Sequence, residues 1–251
     1  MDASKFAKQY EERLNYLSMT PFFGKAAITH FLSRPELKST GFKEFYNANS
    51  LGYARKFEPG EYVDVSKEEH PTICAGVTEY ITKIKLARKL GKSLEKLRFF
   101  EDVNKKEYSK LSDEELAFAM YEHDVMYRSG MGYTAEIFEH KNNIIQKASD
   151  LADIALELIY KTFPEIDVID FHPEGHVMYK GEVAIKGDSD LLINNCLIDF
   201  KTKKDYKLSK QERAQLFAYA LHKYMRDGEN YDKVYFLNPR YNILEELVIK
   251  P

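Results

Sequence analysis

The stretch KGDSDLLINNCLIDFKTKK (186–204) sets three aspartates and a cluster of lysines on two short apolar runs. Strands disfavour Asp, and like charges directly across a sheet repel, so the pattern calls for something that compensates. Asn194-Asn195 is a favoured two-residue hairpin turn, because Asn tolerates positive φ. With that turn Ile193 faces Cys196, Asp190 faces Asp199 and Asp188 faces Lys201. Alternation along the strands gathers Asp188, Asp190, Asp199 and Lys201 on one face. Ser189, Leu191, Ile193, Cys196, Ile198 and Phe200 form the other, mostly apolar face, which is expected to pack on the core. Opposed carboxylates have Cβ atoms about 5 Å apart. A hard divalent cation relieves their repulsion, and Mg²⁺ takes one or two carboxylates plus waters and phosphate oxygens. Lys201, two residues beyond Asp199, is placed to hold an attacking water or to neutralise charge developing on a phosphate. The bland alternative is a solvated face of weak ion pairs, which is what carboxylates beside lysines usually make.

These residues need elements to hold them. Apolar periodicity predicts helices over 3–18, 21–33, 73–91 and 113–129, so residues 1–130 read as mainly helical. Ser112 and Glu115 have capping-box spacing at the start of the last of these. The glycines and prolines of 52–71 predict a loop. Residues 134–163 keep one apolar stripe at helical spacing, and Pro164 is a stop. Short β-like runs follow: VIDF, HVMY, EVAIKGDSDLLI and CLIDFKT. A helix is predicted over 210–227, opened by a Ser209/Glu212 capping box and closed by Gly228, and DKVYFL (232–237) reads as one more strand. Helix, strands, helix and strand in that order predict an α/β or α+β core.

Composition narrows the class. The chain has 251 residues, 44% apolar and 31% charged, which suits a globular protein with a sizeable core. Net charge is −3, so affinity for an acidic polymer must come from a local patch. KTKKDYKLSK supplies one: Lys203, Lys204, Lys207 and Lys210 surround Tyr206, and such a segment can track a phosphate backbone by charge and stack a base on the ring. The two cysteines, Cys74 and Cys196, fit no paired metal-ligand spacing and point to a reducing compartment. The charged N-terminus and the lack of a long apolar run predict a cytoplasmic protein with no membrane association.

Three ordered blocks then carry a resemblance. Gly187-Asp188-Ser189-Asp190 is followed by Asp199-Phe200-Lys201-Thr202, and then by Gln215-Leu216-Phe217-Ala218-Tyr219 on the predicted helix. Together they resemble the core of the PD-(D/E)xK nucleases, most closely the RecB-like and phage-type exonuclease branch, over roughly residues 130–240. The resemblance implies a restriction-endonuclease-like core, a mixed β-sheet flanked by helices, in residues 131–251, with a helical N-terminal region, 1–130, of its own. It implies that Asp190 and Asp199 ligate Mg²⁺ or Mn²⁺, assisted by the carbonyl of Phe200, and that Lys201 orients a water.

The family also carries an acidic residue or histidine on an upstream helix. Glu136, four residues after Gly132, is the expected residue, with His140 one turn on, and Glu174 and Glu182 compete for the role. Gln215 and Tyr219 sit one turn apart and would orient Lys201 or a phosphate. His222 and Arg226 continue their stripe toward nucleic acid. The cysteines of iron–sulfur relatives are absent, so no cluster is expected. The implied activity is a metal-dependent DNA nuclease, an exonuclease of recombination, repair or phage replication. A catalytically silent nucleic-acid-binding or adaptor protein that keeps the nuclease fold, and a protein whose N-terminal half binds a protein partner, are the competing expectations.

Overall fold

Asn194 and Asn195 adopt φ of 47° and 59°, and the tight turn they form sets the register of the strands around it. Strand β5 (Leu191–Ile193) pairs antiparallel with β6 (Cys196–Phe200), with Ile193 opposite Cys196 and Leu191 opposite Ile198. The computed structural model that shows this describes residues 2–56, 59–63, 70–103 and 110–249.

The hairpin belongs to a six-stranded mixed sheet in the order β1-β8-β7-β6-β5-β2. Strands β1 (Leu51–Tyr53), β2 (Ile169–Asp170), β7 (Lys233–Asn238) and β8 (Ile243–Ile249) complete it. Only β6 and β7 are parallel. A parallel pair requires a crossover, supplied here by a helix over Lys210–Asp227. A separate ribbon pairs β3 (Val177–Tyr179) with β4 (Glu182–Ile185) around Lys180-Gly181, both at positive φ. The described residues hold eight α-helices: α1 (Ser4–Ser18), α2 (Ile28–Ser33), α3 (Phe42–Ala48), α4 (Pro71–Lys89), α5 (Asp113–Ser129), α6 (Ala135–Glu139), α7 (Lys141–Thr162) and α8 (Lys210–Asp227). The fold is therefore α+β, a mixed sheet flanked by helices, as expected.

Both faces of the sheet are covered. Leu191, Ile193, Cys196, Ile198 and Phe200 join the buried side chains of α4, α5 and α7 in one core. Leu197, Val234 and Phe236 join those of α1, α3 and α8 in the other. The apolar hairpin face packs as the alternation predicts. On the opposite face Leu197 shares a core with the buried side chains of α8.

Several expectations need correction. Helix 21–33 is confined to Ile28–Ser33, since residues 19–25 turn and Gly24, at φ 69°, donates its N–H to the Ala184 carbonyl. The single helix over 134–163 is two, broken at His140, where ψ is 5°. The long run EVAIKGDSDLLI is two strands. Between them Lys186 bridges to Ala27 and Asp188 to Glu174, outside the main ladder. Strand β8 was not anticipated, and β1 lies within the expected 52–71 loop, where positions 57, 58 and 64–69 fall outside the described residues. The boundary at residue 130 does not separate two cores: β1 pairs with β8, α1 and α3 pack on α8, and α4 packs on α7. No helix among the described residues is long and apolar enough to cross a membrane.

Candidate active site

Strand β6 is buried along its whole length, and its last residues enter the wall of a cleft of about 490 Å³. Asp199 stands beside Phe236 of β7 and is 1% exposed. The hairpin ladder stops at Leu191–Ile198, so Asp190 is not the ladder partner of Asp199. Instead its Oδ2 accepts the Phe200 N–H at 2.7 Å, taking the place a strand carbonyl would fill. Lys201 donates its backbone N–H to the Leu237 carbonyl at 2.8 Å, and its ammonium is ion-paired with Asp199. The expected pairing of Asp188 with Lys201 is not made. Asp188 turns outward to Arg98, 2.7 Å away.

Helix α8 supplies the opposite wall. Its Ser209/Glu212 capping box forms, which starts the helix where Gln215 and Tyr219 rise one turn apart on the cleft side. Gln215 Nε2 donates to the Tyr219 hydroxyl at 2.8 Å. Tyr219 in turn sits against Gly175 and Gly187. A Cβ on Gly187 would lie 2.8 Å from the Gly175 carbonyl and 3.2 Å from the Tyr219 ring, so only glycine lets these segments approach. Asp190, Asp199, Phe200, Lys201, Gln215 and Tyr219 thus share one cleft.

The electrostatics follow from burying so many carboxylates together. Burial pushes the Asp199 carboxyl up to about 7; Lys201 pulls against this, while Asp190 and Glu79 add to it. Burial works against the charged form of Lys201, but Asp199 and Asp190 outweigh it and hold the ammonium above its ordinary value. The Tyr219 hydroxyl is raised, by burial first and then by the same two aspartates.

The helical acid in the cleft is Glu79 of α4, not Glu136. Burial and then Asp190 raise its carboxyl, against the pull of Lys83. Lys83, fully buried one turn on, holds Glu79 Oε1 at 2.5 Å and lies 3.4 Å from His172 Nδ1. Glu136 lies on α6, a five-residue helix with no buried side chain. It is 71% exposed and lies 3.9 Å from His70. This short helix rests Ile137 and Phe138 on the edge of the core and leaves Glu136 on its exposed side, outside the cleft. One signal for Glu79 was available: it is the only acid in PTICAGVTEYITKIKLARK, a helix otherwise apolar, basic or threonine. An acid amid so much apolar surface needs a reason to be there.

The remaining candidates are spread out. Glu174 is exposed beside His176, 3.5 Å away, and Glu182 is exposed on β4. His222 does not face nucleic acid: it is buried, with Nδ1 2.7 Å from the Gly175 carbonyl and Nε2 on the Tyr10 hydroxyl. Arg226 binds Asp227 and donates to the Glu174 carbonyl. Lys203 is ion-paired with Glu212 at 2.5 Å, whereas Lys204, Lys207 and Lys210 are exposed. Arg98, Tyr127 and Arg128, which no motif singled out, also line the cleft.

The donors available to a cation are the carboxylates of Asp190, Asp199 and Glu79 and the carbonyl of Phe200, all hard oxygens. Among the described residues no three His, Cys, Asp or Glu side chains converge closely enough to hold a metal ion by themselves. Mg²⁺ does not require one, since it keeps waters and phosphate oxygens in its shell. Burial first, and neighbouring acids after it, raise the carboxyls of Asp199 and Glu79 although each is paired with a lysine. The hard-oxygen donor set fits a hard divalent cation. Comparison of the chain with protein-family models, with curated proteins and with solved structures finds no match.

Proposed function

We propose that the chain is a metal-dependent nuclease that hydrolyses phosphodiester bonds in DNA, of the PD-(D/E)xK type its motifs resemble. One observation carries the reading: Asp190, Asp199 and Lys201, from the hairpin, meet Gln215 and Tyr219, from α8, in a single cleft. Sequence spacing alone does not require that convergence.

In this reading Asp190 and Asp199, with the Phe200 carbonyl and Glu79, hold Mg²⁺ or Mn²⁺. When bound, such an ion polarises the phosphodiester and acidifies a water. Lys201, kept charged by Asp199 and Asp190, donates to a non-bridging phosphate oxygen and neutralises charge as it develops. Tyr219, steadied by Gln215, orients the Lys201 ammonium and limits its rotation. The Phe200 N–H holds the Asp190 carboxylate in one orientation, so that part of the site is organised before substrate arrives. Exposed Lys204, Lys207 and Lys210 leave the site in the direction of α8 and draw the strand in by charge. An exonuclease is favoured by the branch that the Gln215–Tyr219 spacing resembles. A cytoplasmic setting suits a chain whose two cysteines form no disulfide.

The test is cleavage of end-labelled linear duplex and single-stranded DNA in Mg²⁺, Mn²⁺ or EDTA, with Asp199→Ala and Lys201→Ala alongside. Metal-dependent degradation lost in both variants supports the site, and the product ladder separates exonuclease from endonuclease. Binding without cleavage in every metal removes the enzyme and leaves a silent DNA-binding protein. Equal cleavage by all three proteins puts the activity outside this cleft.

A further inference from the structure

The rim of the cleft carries side chains that phosphodiester hydrolysis does not use. Tyr127, in the last turn of α5, is 70% exposed, an unusual state for so large a ring at a cleft mouth. The Arg98 guanidinium lies 4.9 Å from the Tyr127 ring centroid and 4.9 Å from that of Phe99. The two rings are themselves 5.7 Å apart. Phe99 has φ of 63°, a left-handed conformation costly for an aromatic residue and kept only where the surroundings impose it. Arg98 is further held by Asp188 at 2.7 Å. Next to Tyr127, Arg128 is clamped through Nε and Nη2 by the buried Asp124, at 2.7 and 2.6 Å, which fixes its guanidinium plane at the cleft. The result is a cluster of two tilted rings, 52° apart in plane, with the Arg98 guanidinium against both and most of Tyr127 in water.

We propose that the Arg98–Phe99–Tyr127 ledge is a stacking platform for an unpaired DNA base, and that Arg128 contacts the phosphate beside it. Every base has a π face, and aromatic and guanidinium planes bind that face without regard to sequence. The floor of the cleft bears three carboxylates, Glu79, Asp190 and Asp199, against the single ammonium of Lys201, so cations at the rim, Arg98 and Arg128, help bring a strand over it. A base inside a duplex has both faces occupied by its neighbours. The ledge therefore selects single strands and overhangs over blunt duplex. The inference rests on the nuclease reading for the position of the strand, though base stacking can be measured without cleavage.

The experiment uses the full chain in Ca²⁺ or EDTA, with single-stranded DNA carrying 2-aminopurine near one end and a blunt duplex as control. Wild type is expected to quench the 2-aminopurine and to bind the single strand in preference to the duplex. Tyr127→Ala is expected to abolish the quench and to weaken single-strand binding about 5- to 150-fold, the range for losing one stacked base, with duplex binding within about twofold. Tyr127→Phe, which keeps the ring, should behave as wild type. Melting curves check that each variant is folded. The inference is overturned if Tyr127→Ala matches wild type in quench and single-strand affinity, or if it weakens blunt-duplex binding equally. A chain that stacks bases through Tyr127 yet cleaves nothing keeps the ledge and loses the nuclease reading. A chain that cleaves while Tyr127→Ala binds and quenches normally does the reverse.

Discussion

The Asp190 carboxylate accepts the backbone N–H of Phe200 at 2.7 Å, and so carries the β5–β6 hairpin one step beyond its last ladder pair. The same side chain extends the strand pairing and, in the proposed nuclease, holds the metal, and the two roles can be separated. Asp190→Asn keeps an oxygen acceptor for the N–H and removes the charge. Asp190→Ala removes both, leaving a part-buried donor unsatisfied at a cost of about 1–3 kcal/mol. Denaturant melts should show the Ala variant destabilised by that amount and the Asn variant little changed, with DNA cleavage abolished in both. Equal destabilisation of the two would remove the hydrogen bond from the account.

Glu79 and Glu136 offer a direct contrast. Glu79→Gln is expected to lower cleavage by at least about 10- to 100-fold, the loss usual even for a residue that only supports a metal's ligands. Glu136→Gln, with its side chain 71% exposed and outside the cleft, should stay within about twofold, as surface changes away from a site usually do. Rate assays at saturating Mn²⁺ on both variants would decide between the two helices.

Gly187→Ala tests the close approach behind Tyr219. The added methyl would meet the Gly175 carbonyl and the Ile28 side chain, each at 2.8 Å. Overpacking of this kind costs about 1–3 kcal/mol. Because the displaced ring is Tyr219, cleavage should fall further than stability alone explains. A variant that melts lower but cleaves normally under native conditions would show that Tyr219 is dispensable.

Acid stability has two opposed contributions. Burial lowers His222 to about 4 from an ordinary value of 6.5. The unfolded chain therefore takes up a proton near pH 6.5 that the folded chain refuses until about pH 4. Stability is intact above 6.5 and falls by about 3 kcal/mol as pH drops to 4. Asp199 acts in the other direction: its folded value near 7 lies above its ordinary 3.8, so between those limits acidification favours the fold. Urea titrations from pH 8 to 4 should show a shallower acid loss for His222→Gln than for wild type, by about one bound proton, and a steeper one for Asp199→Asn. Parallel curves for all three proteins would contradict both assignments.

What the sequence determined by itself is what its near neighbours along the chain decide. Asn194-Asn195 imposed the hairpin register, because two residues that accept positive φ leave one way to pair the flanking strands. The Ser112/Glu115 and Ser209/Glu212 boxes began their helices for the same local reason, and the second brought Gln215 and Tyr219 to one face. Tertiary packing decided the rest. Asp190 and Asp199 belong to one hairpin by sequence, but the end of the ladder at Leu191 turned one of them to a backbone N–H. Whether the helical acid would be Glu79 or Glu136 depended on which helix had apolar surface to bury against the sheet. Helix α4 is buried along most of its length, whereas α6 only rests Ile137 and Phe138 on the edge of the core. Strand β8 and the Tyr127 ledge escaped the sequence reading for a related reason. A sheet neighbour and a cleft rim are defined by segments far apart in the chain, and the hydrophobic burial that brings such segments together is non-directional and carries no fixed spacing along the chain.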